Sequence, residues 1–313
     1  MQSEARIVVV LGTGGTIAGL AATPADQLGY RAAQLGVADL VAAVPAAPDA
    51  VIETEQVAQL DSKDMDFATW RRLAQRVAEH SSRPEVSGIV VTHGTDTLEE
   101  TAYFLARTVA VGKPVVLTGA MRPASSFEAD GPGNLGAAIA VAMQAEPGVV
   151  VVFAAAVHAA RDVRKAHSRR LDAFASGDAG PLGRLERNRL HVLRRWPVEA
   201  TVGVAAWPAE AAAWPRVEIV TSAAGADGRI VRDLVSAGVA GIVVAATGNG
   251  TVHRALERAL ADAMQHGVAV LRSTRCLDGG IVDAGAATLP SAGDLTPVQT
   301  RIELMLRLLG AGS

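Results

Sequence analysis

Two hydroxyl-bearing turns and one lysine stand out for the chemistry they could carry. Thr16 closes a glycine-rich turn, Gly12-Thr13-Gly14-Gly15-Thr16, and Thr95 and Asp96 follow Gly94 after the apolar run 89–91. Lys165 stands in a charged stretch with Arg161, Asp162 and Arg164. A threonine hydroxyl is a weak nucleophile until a base takes its proton, and a desolvated lysine near another hydroxyl can be tuned to do so. Lysine is scarce here: Lys63, Lys113 and Lys165 stand against 26 arginines. Arginine keeps its proton, so a site that needs a neutral amine must use lysine. Lys113, between Gly112 and Pro114, reads more simply as a loop residue without function. Ser62, with Asp61, Asp64 and Asp66, precedes a helical pattern. The cluster reads first as helix capping and second as a helix N-terminus able to hold a carboxylate.

These residues lie where one kind of element gives way to another. Residues 89–91 read as a buried strand, and Leu98, Ala102, Leu105 and Val109 then fall on one helical face. Thr97 with Glu100 fits a capping box. Thr95 and Asp96 therefore sit at a strand-to-helix junction, where an open α/β sheet binds its ligand. A capped turn with solvated hydroxyls is the plainer alternative. Residues 6–11 read as the strand feeding the first glycine turn. A dinucleotide fingerprint fails there at Ile17, and no Gly-Lys-Ser/Thr follows to make a phosphate loop. Residues 20–30, with Pro24 and Gly29, read as a mobile lid or an ordinary surface loop.

The same alternation runs on. Strands are expected at 51–57, 114–117 and 149–154. Helices are expected at 37–44 (stopped by Pro45), from Phe67 through Trp70, Leu73 and Val77, and at 135–144 between loops at 119–123 and 130–134. Apolar strands alternating with helices indicate a parallel sheet covered on both faces. The Ala/Trp/Pro-rich stretch 197–215 reads as a linker between an N-terminal domain over 1–196 and a C-terminal α/β domain over 216–313. In the second block, strands at 217–221, 241–246 and 268–272 alternate with helices near 230–237, 252–266 and 297–309. Asn249 lies in another glycine turn, 246–251.

Composition excludes several classes. The 313 residues are 50% hydrophobic and 19% charged, enough for packed cores and wrong for disorder. A net charge of −3 and 4% aromatics offer nucleic acid neither a basic field nor stacking. No run of about 20 apolar residues exists to span a membrane, and residues 1–6 lack a signal-peptide pattern. One cysteine, Cys276, excludes an internal disulfide and is expected to be a small buried hydrophobe. The cytoplasm is the expected compartment. His158, His167 and His191 lack metal-ligand spacing and read as structural or surface residues, and His93 as a hydrogen-bonded core histidine. No metal is expected.

The segments 11–19 and 92–102 resemble the two signature segments of bacterial-type L-asparaginases. The resemblance continues through Gly119-Ala120-Met121-Arg122-Pro123, Ala129-Asp130-Gly131-Pro132, Arg161-Asp162-Val163-Arg164-Lys165 and Gly248-Asn249-Gly250. It implies a larger N-terminal doubly wound, mostly parallel sheet domain and a smaller C-terminal α/β domain. It also implies hydrolysis of the side-chain amide of asparagine, without metal or organic cofactor. The enzyme would be a homo-oligomer, dimer or tetramer, with sites between neighbouring subunits. By the same resemblance Thr16 is the attacking threonine and Tyr30 the lid tyrosine supporting it. Thr95, Asp96 and Lys165 form a second, triad-like set. Ser62 and Asp96 hold the substrate's α-carboxylate and α-amine, and Asn249 reaches in from the partner. Two departures bear on substrate binding. Lys63 stands where many relatives have a neutral or acidic residue, so it would tighten carboxylate binding or disturb the ammonium side. The segment after Arg275 is shortened, leaving Asp278 or Asp283 to supply an acidic contact. The chemistry is coherent in itself, since amide hydrolysis needs a nucleophile, a route for its proton and donors for the oxyanion. Mixed glutaminase-asparaginase activity and a non-catalytic amino-acid sensor on the same fold are the alternatives.

Overall fold

Val8, Val9, Val10 and Leu11 are all buried, so both faces of the strand they form must be covered. The computed structural model shows how, for residues 6–26, 29–44, 50–197, 200–202, 208, 210, 213–282 and 288–311. The chain divides into two compact units, 1–204 and 205–313.

The first unit begins with β1 (Arg6–Gly14), α1 (Val37–Ala42), β2 (Ala50–Leu60), α2 (Phe67–Ser82), β3 (Val86–Thr92), α3 (Leu98–Thr108), β4 (Pro114–Thr118), α4 (Gly131–Ala142) and β5 (Gly148–Phe153). Short strands follow: β6 (Ala156–Ala159), β7 (Arg164–Lys165), β8 (Phe174–Ala175), β9 (Gly183–Glu186) and β10 (Arg189–Val192). The main sheet runs β10-β9-β6-β5-β4-β3-β1-β2. From β2 to β5 every pairing is parallel, and β6, β9 and β10 extend the sheet antiparallel. Helices α1 and α4 cover one face, where Val8, Val10, Val90 and Val116 meet Leu40, Leu135 and Ala138. Helices α2 and α3 pack on the sheet as well as on each other.

Strand order 2-1-3-4-5 reverses direction at β1. The crossover from β1 leads to β2 on one side, and the chain returns to place β3 on the other. At such a switch point two loops diverge at the carboxyl edge and leave a crevice. The loops that diverge here carry Thr16 and Thr95.

Several local expectations need correction. α4 begins at Gly131, not near Leu135, because Pro132 is well suited to a first helical turn that needs no N–H. Thr97 is the N-cap of α3 but makes no side-chain capping bond, so the capping box with Glu100 does not form. Its hydroxyl donates instead to the Ser62 carbonyl at 2.8 Å. The short strands between 156 and 192 had no counterpart in the sequence reading. The stop expected at Pro45 lies outside the described residues.

The second unit holds β11 (Val217–Thr221), α5 (Arg229–Ser236), β12 (Gly241–Ala246), α6 (Arg254–Gln265), β13 (Ala269–Thr274) and α7 (Pro297–Ala311). Its three strands are parallel, in the order β11-β12-β13. Cys276 is exposed rather than buried, because it lies on the bend beyond β13, where its N–H is held by Thr274 Oγ1 at 3.0 Å.

Two glycines let the strand-end loops of the first unit meet. Gly15 has φ +82°, and a Cβ there would lie 2.3 Å from Gly94 Cα. A Cβ on Gly94 would in turn lie 2.5 Å from Ser62 Oγ. Replacing Gly15 with alanine therefore combines a strained φ with a backbone clash. Gly15→Ala is expected to lower stability by about 3 kcal/mol, read as a fall in thermal midpoint. Gly112→Ala, where an added Cβ meets nothing within 4 Å, is expected to stay within about 0.5 kcal/mol of the parent.

Candidate active site

Thr16 sits in a single 3-10 turn, Thr16–Ala18, directly after β1. The chain then folds back over it. Leu20 and Arg31 exchange backbone hydrogen bonds at 2.9 and 2.8 Å, and Ala33 N–H reaches Gly15 O at 3.0 Å. This return lays Tyr30 against the turn, with its hydroxyl 2.7 Å from Thr16 Oγ1. Thr16 is largely buried but lines a cavity of about 530 Å³. Tyr30, Thr95, Asp96, Lys165 and Arg122 line the same cavity.

Thr95 and Asp96 are held from below. Ser62 is buried in the turn after β2, and its Oγ accepts the Asp96 N–H at 3.2 Å. A buried hydrogen-bonded chain runs behind the loop. Trp70 Nε1 lies 2.9 Å from Thr101 Oγ1, which lies 2.9 Å from His93 Nε2, and His93 Nδ1 lies 2.7 Å from Gly94 O. The roles are forced by the ends. Trp70 can only donate and the Gly94 carbonyl can only accept, so His93 carries its proton on Nδ1 and Thr101 donates to Nε2. The imidazole is neutral, and burial lowers its pKa from 6.5 to about 4.

Lys165 arrives from far along the chain, on the two-residue strand β7. Its partner strand β8 is anchored by Phe174, whose ring packs 4.8 Å from that of Phe153 at the end of β5. Lys165 Nζ donates to Thr95 Oγ1 at 2.9 Å and to Asp96 Oδ1 at 2.7 Å. Its backbone N–H goes to Glu99 Oε2 at 2.5 Å.

The fourth wall is the loop after β4. The Asp130 carboxylate accepts the N–H groups of Met121 and Arg122 at 3.0 and 2.9 Å. Asn134 ties that loop to the sheet by donating to Gly119 O at 2.9 Å and accepting from Ala154 N–H at 3.1 Å.

Five of the residues singled out from sequence thus share one cavity: Thr16, Tyr30, Thr95, Asp96 and Lys165. Ser62 supports the Asp96 loop from beneath. The Lys63 ammonium is exposed and paired with Asp61 at 3.1 Å and Asp64 at 2.8 Å, and Lys63 is not among the residues lining the cavity. Asn249 belongs to the second unit, where its amide pairs with the backbone of Val282 at 3.0 and 2.7 Å. Asp278 is exposed in the bend after β13, and Asp283 lies outside the described residues. Sequence reasoning gave no role to Glu99 or Asn134. Glu99 was hidden beside Glu100 in a pattern that any helix start would show. A larger cleft of about 690 Å³ lies beside Val109, Pro147 and Trp196. Its lining holds one side-chain hydroxyl, Thr201, with Glu146 and Arg195 as its charged groups and no lysine.

A cavity at the switch point, two threonine hydroxyls and a lysine bound to one of them suit nucleophilic chemistry on a small polar substrate. The family description "Asparaginase, N-terminal" matches residues 7–198, and "Glutaminase/Asparaginase C-terminal domain" matches residues 216–312. The chain belongs to the asparaginase family. Among the relatives of this asparaginase-family chain is L-asparaginase 2 of Escherichia coli strain K12. It is 38% identical over 310 residues, which cover 96% of this chain and 88% of the relative. A glutaminase-asparaginase of Pseudomonas fluorescens biotype A is 36% identical, with 96% and 86% covered. A crystal structure described as a probable cytoplasmic L-asparaginase from Campylobacter jejuni superposes with a TM-score of 0.89. It is 36% identical and covers 97% of this chain and 95% of its own. No helix among the described residues is long and apolar enough to cross a membrane.

The buried imidazole gives a pH prediction. Unfolded, His93 takes up a proton near pH 6.5; folded, only near 4. The stability this neutral ring supports is fully present above pH 6.5 and is lost as pH falls toward 4, by about 3 kcal/mol. Thermal midpoints measured from pH 7 to pH 4.5 should fall accordingly. His93→Asn should start lower at pH 7 and show a shallower fall.

Proposed function

We propose that the protein hydrolyses L-asparagine to L-aspartate and ammonia, with Thr16 as nucleophile. The observation that carries this reading is the pairing of two hydroxyls with one amine in a single cavity. Thr16 is bonded to Tyr30, and Thr95 is bonded to Lys165. Thr16 Oγ1 attacks the side-chain amide carbon, and its proton passes toward the Tyr30 hydroxyl or the Thr95–Lys165 pair. The C–N bond of the tetrahedral intermediate breaks, ammonia leaves after gaining a proton, and a threonyl ester remains. Water adds to the ester, aspartate departs, and the proton returns to Thr16.

Asp96 supplies the anion for the substrate ammonium. Lys165 Nζ bonds its Oδ1, and the carboxylate is exposed in the cavity lining where a ligand ammonium can reach it. Ser62 Oγ, having accepted the Asp96 N–H, retains its own proton for the substrate carboxylate. Lys63 sits one residue further, in a solvent-exposed pair whose energetic worth is small. The reading extends to a homo-oligomer, dimer or tetramer, in which Asn249 of a neighbouring subunit contacts the substrate. Light scattering tests that mass. The cytoplasmic assignment rests on the lone thiol Cys276 and on the designation of the Campylobacter relative.

A second reading, mixed asparaginase and glutaminase activity, is favoured by the Pseudomonas relative's description. The ratio of kcat/KM for L-asparagine and L-glutamine separates the two. Thr16→Val should lower ammonia release by about a thousandfold or more, and Lys165→Met comparably. Wild-type rates in both variants would remove the mechanism. Tyr30→Phe, which deletes the hydroxyl bonded to Thr16, should lower kcat by about a hundredfold with the fold intact by circular dichroism.

A further inference from the structure

Glu99 is a half-buried carboxyl that the proposed reaction does not use. It lies in the first turn of α3, three residues after Asp96, and burial pushes its pKa up. Its Oε2 accepts the Lys165 backbone N–H at 2.5 Å. That N–H has no place in the β7–β8 ladder, where the neighbouring Ala166 N–H goes to Ala173 O at 2.8 Å instead. The remaining charges that bear on Glu99 are Glu100 on its own helix and Arg164 with Lys165 on β7.

Lys165 is thus gripped at both ends by one short segment. Thr95 and Asp96 hold its ammonium, and Glu99 holds its main chain. This matters because a lysine side chain has many rotamers, and β7 is only two residues long. An amine held at its head alone would be free to shift its backbone origin. We infer that Glu99 is a positioning residue, which fixes the Lys165 main chain to the segment bearing Thr95 and Asp96 and so sets the reach of Nζ to the Thr95 hydroxyl. The inference rests on the asparaginase reading given above.

The test is kcat and KM for L-asparagine in Glu99→Ala, Glu99→Gln and Glu99→Asp, with thermal midpoints of each. Glu99→Ala should lower kcat about tenfold while KM stays within about twofold, since misplacing a base weakens the chemical step more than binding. Glu99→Gln keeps an oxygen that accepts the same N–H and should stay within about threefold of wild type. Glu99→Asp keeps the charge but is one methylene shorter, so its kcat should fall below that of Glu99→Gln. Wild-type kcat in Glu99→Ala, or Glu99→Gln impaired as deeply as Glu99→Ala, overturns the inference. If the alanine variant does not fold, the Asp/Gln comparison decides, and an aspartate variant as active as the glutamine variant overturns it. Failure of wild type to release ammonia overturns the asparaginase reading itself. Wild-type turnover with indifferent Glu99 variants overturns only this inference.

Discussion

The backbone of Gly15 rests directly on the backbone of Gly94, and the cavity exists because nothing lies between them. A parallel sheet sets neighbouring strands close together, but side chains at the loop ends would ordinarily hold the turns apart. Here the turn after β1 and the turn after β3 touch main chain to main chain, and the second touches Ser62 from the turn after β2. Three consecutive crossovers of the first unit therefore end in one place. Thr16, Thr95 and Asp96 are brought together by the absence of side chains as much as by the hydroxyls and carboxylate they carry.

Around that contact the proton-handling groups are arranged by rigid supports of different kinds. Tyr30 is delivered by a loop that returns on the 3-10 turn through paired backbone bonds. Lys165 is delivered by a short hairpin anchored through an aromatic pair. The Thr95 loop hangs from a neutral imidazole whose proton position is dictated by an indole at one end and a carbonyl at the other. Asp130 and Asn134 perform the same service for the loop after β4. Few of these supports touch the cavity, yet each fixes a group that does. This is the usual price of holding reacting atoms to within a fraction of an ångström.

The sequence was most legible where period and punctuation agreed. The apolar runs of β1, β3 and β4, each ending in glycine or small polar residues, announced both the parallel sheet and the loops that matter. The rarity of lysine drew attention to Lys165, and the structure places it against Thr95. Legibility failed where local pattern had more than one use. Thr97 and Glu100 fit a capping box, but the Thr97 hydroxyl gains a partner at Ser62 that no local rule contains. Glu99 looked like ordinary first-turn acidity until tertiary structure brought β7 alongside. Strands of two to four residues between 156 and 192 are too short to show a period of two. Cys276 follows a buried strand by two residues, and burial ended before it.

The imbalance between arginine and lysine has a practical consequence. Of the three side-chain amines, that of Lys165 is engaged in the cavity, and that of Lys113 is directed to the Arg83 carbonyl. Lys63 alone among them is well exposed, at 61% of its side-chain surface. Lysine-directed reagents therefore meet one well-exposed side-chain amine, and that amine is held by the carboxylates of Asp61 and Asp64, which raise its pKa and slow its acylation. An adduct at Lys63 would be carried by the turn after β2, on a residue that is not among those lining the cavity.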